Sequence, residues 1–134
     1  MAFPAIQYAP YTPPAGISLV WQYTYLGYIT SSGTIIRTPS SGKSTFLHSL
    51  NGAITVVNAN AATAAVTVRI VDTEGDYFVE LPVFLPASTT VNAQFSAVPD
   101  ILLAADSVLT AKLKANVAGV SISDGSVQTY YAEV

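Results

Sequence analysis

A single all-β domain, a β-sandwich or jelly-roll-like barrel behind an extended N-terminal arm, is what three features of this chain predict. Apolar and polar residues alternate with period two through most of its length, turn signals recur about every ten residues, and no stretch carries an amphipathic helical pattern. The 134 residues make room for one domain. By surface scaling, a folded chain of 14.0 kDa exposes about 6,700 Å² and buries about two-thirds of its extended surface. A core is therefore possible without disulfides or a metal, as suits a chain with no cysteine.

Residues 1–16 hold Pro4, Pro10, Pro13 and Pro14 among Phe3, Tyr8 and Tyr11. Proline removes backbone donors and biases its neighbours toward extended conformations, so this segment reads as an arm that packs along its own domain or reaches a neighbouring subunit. The domain proper is placed at residues 17–134. From Ile17 onward, Ile17, Leu19, Trp21, Tyr23 and Tyr25 share one side and Ser18, Gln22 and Thr24 the other. The pattern predicts a long strand, with Trp21, in phase with Ile17 and Leu19, in the core. Ser31-Ser32-Gly33 supplies a turn, residues 34–38 a short strand, residues 39–42 a loop and residues 45–50 another short strand. Asn51-Gly52 is the strongest hairpin signal in the chain, because both residues tolerate the positive φ of a type I′ turn.

Residues 54–58 then form a strand, residues 60–63 a connection, residues 66–70 a cleanly alternating strand and residues 72–76 a polar turn. In the strand of residues 77–85, Pro82 has no N–H for a ladder and marks an edge or a bulge. A further strand covers residues 91–95. Residues 101–105 have helix-compatible composition, yet Leu109, Ala111, Leu113 and Ala115 alternate with Thr110, Lys112 and Lys114, which predicts a strand. Residues 119–122, a turn at Ser123-Asp124-Gly125 and a strand over residues 127–134 complete the series. Val66, Val68, Ile70, Val79, Leu81, Leu109, Leu113 and Ile122 fall on the inward positions and define the expected core.

Only 10% of residues are charged, against about 25% in ordinary soluble domains, which implies that a partner covers part of the surface. The net charge is -3, and Arg37, Lys43, Arg69, Lys112 and Lys114 are the only Lys and Arg residues. They form no basic stripe, so nucleic acid is not an expected partner. The first residues lack the basic and apolar regions of a signal peptide, and no run of 18 apolar residues occurs, so neither export nor a membrane span is expected.

Motifs of catalytic chemistry are incomplete. Gly42-Lys43-Ser44 resembles the end of a phosphate-binding loop, but Arg37 stands where the first glycine is needed. Asp72, Glu74 and Asp76 are spaced like half a calcium loop without its bidentate Glu, and a solvated hairpin turn explains them better. The single histidine, His48, has no nucleophile-elbow motif to serve. No enzyme, no metal and no cofactor is expected. The aromatic residues carry more information: Trp21, Tyr23, Tyr25 and Tyr28 cluster around the first strand, and Tyr is favoured where one end is buried and the other meets a partner. Sugar-binding platforms use Trp and Tyr in the same way.

Ile54-Thr55-Val56-Val57-Asn58, Val66-Thr67-Val68-Arg69-Ile70, Leu85-Pro86-Ala87 and Leu102-Leu103-Ala104-Ala105-Asp106-Ser107-Val108 together resemble a pattern of small β-sandwich virion proteins of tailed bacteriophages. The resemblance spans residues 54–134, with Ala105 where the pattern has Gly. It implies a structural virion protein, foremost a capsid decoration (cement) protein assembled in the host cytoplasm and bound to the major capsid protein or other virion proteins. A homotrimer is expected, with Phe3, Tyr8, Tyr11, Tyr25 and Tyr28 as interface anchors. The alternative is a neck, tail or fibre component, or a carbohydrate- or receptor-binding β-sandwich module.

Overall fold

The computed structural model describes residues 14–29 and 31–134, and among these no helix occurs. The described residues form nine strands in chain order: β1 (Val20–Tyr25), β2 (Thr34–Arg37), β3 (Thr45–Asn58), β4 (Ala64–Val71), β5 (Tyr77–Leu85), β6 (Thr90–Ala97), β7 (Ile101–Leu102), β8 (Leu109–Leu113) and β9 (Val120–Glu133). Two antiparallel sheets result. Sheet I has the order β1-β9-β3-β6, with the short β7 continuing beyond β6 along β3, and sheet II has the order β2-β8-β4-β5. Leaving β7 aside, successive strands switch sheets except at the β4–β5 hairpin within sheet II, in the manner of a double-sheet jelly roll, the architecture anticipated from the strand count.

The core lies between the sheets. Leu50, Ile54, Val56, Ile122 and Val127 of sheet I meet Val66, Val68, Ile70, Val79, Val83, Leu85, Leu109, Ala111 and Leu113 of sheet II, all buried. Each large aliphatic side chain so buried contributes about 1.5–3 kcal/mol relative to exposure. The eight core positions expected from residue 66 onward are in place, with Leu81 partly buried against the cluster. Side chains also tie the sheets together at their margins. Gln22 Nε2 donates to the Ile36 carbonyl at 2.7 Å, joining edge strands β1 and β2. Arg37 donates to Glu133 at 2.5 Å and lies over the Tyr131 ring.

Several sequence expectations give way to tertiary packing. The first strand begins at Val20 and not at Ile17. Asn51-Gly52 makes no turn and sits inside the 14-residue β3. Gly52 is glycine because a Cβ there would lie 2.5 Å from the Phe95 ring and 2.4 Å from the Ser126 carbonyl oxygen. Ser123-Asp124-Gly125 is likewise internal to β9, where Asp124 pairs with Thr55 and Ile122 with Val56, so Ser123 is the extra residue of a bulge. Trp21 points outward, 58% exposed, and not into the core. The alternation of β1 is as expected, but its polar side faces in, where Gln22 and Thr24 bond the Ile36 carbonyl. Pro82 does lie on an edge, since β5 ends sheet II.

Candidate ligand-binding face

The register of sheet I lines up outward side chains in rows across four strands. One row reads Tyr25, Ser126, Ala53, Gln94, and the next reads Tyr23, Gln128, Asn51, Ser96. Trp21, Tyr130 and Ser49 lie beyond on one side, and Asp124, Thr55 and Asn92 on the other. Rows are about 6.7 Å apart and neighbouring strands about 4.8 Å apart, as pleated geometry requires. An aromatic stripe therefore runs along edge strand β1, with Trp21, Tyr23 and Tyr25 at 58–63% exposure. Beside it lies a carpet of amides and hydroxyls on β9, β3 and β6.

Small residues make this face concave. A depression of about 390 Å³ has Tyr23 and Tyr25 as one wall and Thr55, Asn92, Gln94 and Asp124 opposite. A second, of about 480 Å³, continues it past Gln128, Asn51 and Ser96, and both share Ala53, Gln94 and Ser126. The single methyl of Ala53 leaves the floor low where the two meet.

Several groups are pre-oriented. Thr55 Oγ1 donates to Asn92 Oδ1 at 2.8 Å, which turns the Asn92 amide nitrogen outward as a donor. Asp124 Oδ1 accepts the Gly125 N–H at 2.9 Å, and the nearby Asp124 carboxylate, through hydrogen bonding and charge, raises the Tyr25 pKa above its ordinary value. Tyr25 Cε1 lies over Gly27, whose positive φ and lack of Cβ accommodate the ring. Trp21 stacks on Tyr130 with centroids 4.5 Å apart, and the His48 ring meets Tyr130 edge-on at 5.6 Å. His48 Nδ1 lies 2.9 Å from Asp100 Oδ1.

Charge is sparse here. Arg37 is engaged by Glu133 and Arg69 by Glu80 on sheet II, where Lys112 is also found. Lys43 lies in the β2–β3 loop and Lys114 just after β8. Among the described residues, Asp124 is the one ionic side chain lining the groove.

Of the anticipated interface residues, Tyr25 lies in this face and Tyr28 is 63% exposed in the β1–β2 connection, whereas Phe3, Tyr8 and Tyr11 fall outside the described residues. The polar half of the face was missed. Its one sequence signal is Asn92, Gln94 and Ser96 at alternate positions of a strand otherwise predicted by its apolar residues. The Asp72–Asp76 turn is closed on itself: Asp72 is buried and its Oδ1 accepts the Asp76 N–H at 2.9 Å. Among the described residues no group of three or more His, Asp or Glu side chains is placed to hold a metal.

No protein-family model matches the chain, and no curated protein matches it. Among solved structures, it is similar to CBM35 from Cellvibrio japonicus Abf62, with a TM-score of 0.40 and 16% identity over 79% of this chain and 92% of that one. It is also similar to the EclA C-terminal domain, described as a sugar-binding protein, with a TM-score of 0.40 and 12% identity over 92% of this chain and 89% of that one. Likeness at that level leaves function to be argued from the face itself.

Proposed function

We propose that this protein is a non-catalytic glycan-binding module that seats a sugar chain in the groove of sheet I. The observation that carries the proposal is the pairing of an exposed aromatic stripe, Trp21, Tyr23 and Tyr25, with the neutral carpet of Asn51, Asn92, Gln94, Ser96, Ser126 and Gln128. A pyranose ring has the matching two-sided chemistry. Its axial C–H groups form an apolar face that stacks on the electron-rich face of a tyrosine, and its equatorial hydroxyls need partners that both donate and accept. Primary amides supply both from one side chain. A concave site with apolar walls and a few convergent polar groups is also the usual form of a small-molecule site.

Affinity electrophoresis and calorimetry against a panel of soluble neutral polysaccharides test this. At least one is expected to bind, and Tyr23→Ala or Tyr25→Ala is expected to weaken it about tenfold, the loss of roughly one stacking contact. A folded protein that binds none of the panel overturns the proposal.

A structural place in a phage particle is the second reading, supported by the sequence resemblance, by the 10% charged composition and by an apolar corner on the opposite sheet. There Phe84, 72% exposed, pairs across the ladder with Ala65, beside Pro82. A decoration or fibre protein docked through sheet II leaves the groove of sheet I open, so the two readings are compatible. Native mass spectrometry for a trimer, and immunogold labelling of purified particles, test it.

A further inference from the structure

Resting on the glycan-binding proposal, we infer that the groove selects uncharged sugar chains and rejects those bearing carboxylates or sulfates, with Asp124 as the selecting residue. Asp124 stands on β9 in the flanking row with Thr55 and Asn92, within the same depression as Tyr23 and Tyr25. Its Oδ1 accepts the Gly125 N–H at 2.9 Å, which holds the charge in the depression lined by Tyr23 and Tyr25, where a sugar ring stacks.

Among the described residues no Lys or Arg lines the groove to offset that charge, and His48, beside Tyr130 at one end of the face, is already engaged by Asp100. The five cationic side chains belong to sheet II or to connections away from the groove, and two of them are already neutralised by Glu133 and Glu80. The chain as a whole carries a net charge of -3, so an anionic polymer meets repulsion at long range as well as in the site. Arginine and lysine are the favoured partners of uronate or sulfate, since their permanent positive charge strengthens each hydrogen bond to the anion. The groove offers amides and hydroxyls instead. These suit neutral hydroxyls, and Asp124, an acceptor with two oxygens, adds a strong partner for a vicinal diol.

The experiment compares matched probes: xylan, glucan and mannan, each uncharged and each partly carboxymethylated, titrated against the intact protein. The carboxymethylated member of the bound pair is expected to be at least about fivefold weaker at low ionic strength. The gap is expected to close between about 0.01 M and about 1 M salt, as the screening length falls from about 30 Å to about 3 Å. It is also expected to close in Asp124→Asn, whose amide oxygen still accepts the Gly125 N–H. Equal binding of both members at low salt, or a gap unchanged in Asp124→Asn, overturns the selectivity while leaving glycan binding intact. Binding of neither member of any pair overturns the glycan proposal itself.

Discussion

Thr129 is fully buried on β9, and its hydroxyl finds no hydrogen-bond partner among the described residues. A stranded hydroxyl costs about 1–3 kcal/mol, so replacing it with a methyl of nearly the same shape removes a penalty. Thr129→Val is expected to raise the unfolding free energy by about 1 kcal/mol in urea titration, with an unchanged slope. Asp72 presents the opposite kind of residue-scale strain. Burial foremost, with help from Asp76 and Glu74, raises its pKa even though backbone N–H groups lower it. A carboxyl whose folded pKa lies above its unfolded value of about 3.9 destabilises the fold while ionised, and that cost disappears as pH falls through the folded pKa. Asp72→Asn keeps an acceptor for the Asp76 N–H. It is therefore expected to melt higher than the parent at pH 7 and to lose that advantage below about pH 3.9. An advantage independent of pH would mean that charge is not the cause.

At the scale of elements, what the sequence reveals and what it hides follow from the reach of each signal. Val66, Val68 and Ile70 declare a half-buried strand because alternation is local, and Pro82 declares an edge because a missing donor is local too. Alternation in β1 shows which residues share a side but not which side is inward. Gln22 and Thr24 turn in only because a carbonyl of β2, twelve or more residues away, awaits them. The same holds for Asn51-Gly52: its turn signal is outweighed by pairing of β3 with both β6 and β9, and its glycine answers to the Phe95 ring across the ladder. The polar half of the candidate site was hidden for the same reason, since Gln94, Asn51 and Gln128 become neighbours only through register. Gly52→Val is expected to destabilise the protein by about 1–3 kcal/mol through overpacking against Phe95, with chemical denaturation as the measurement. Conversion of Asn51-Gly52 to Asn-Ala without loss would show that the close approach is relaxed in solution.

On the scale of the whole molecule, the sandwich separates two exposed apolar features by the thickness of its core, about 10 Å between sheets. The aromatic stripe lies on the outside of sheet I and the Phe84 corner on the outside of sheet II. A jelly roll serves capsid and lectin domains alike, so the fold does not choose between assembly and sugar binding. The two faces do. Substitutions that far apart, with no shared partners, act independently to within about 0.5 kcal/mol. Phe84→Ser is thus expected to leave glycan affinity unchanged and to shift any oligomer seen by native mass spectrometry toward monomer. Tyr23→Ala is expected to do the reverse, and the double variant to show both losses with no coupling between them. If Tyr23→Ala instead dissolves the oligomer while sugars have no effect on either variant, the aromatic stripe is a subunit interface, and the groove is closed by a second protein surface in the working assembly.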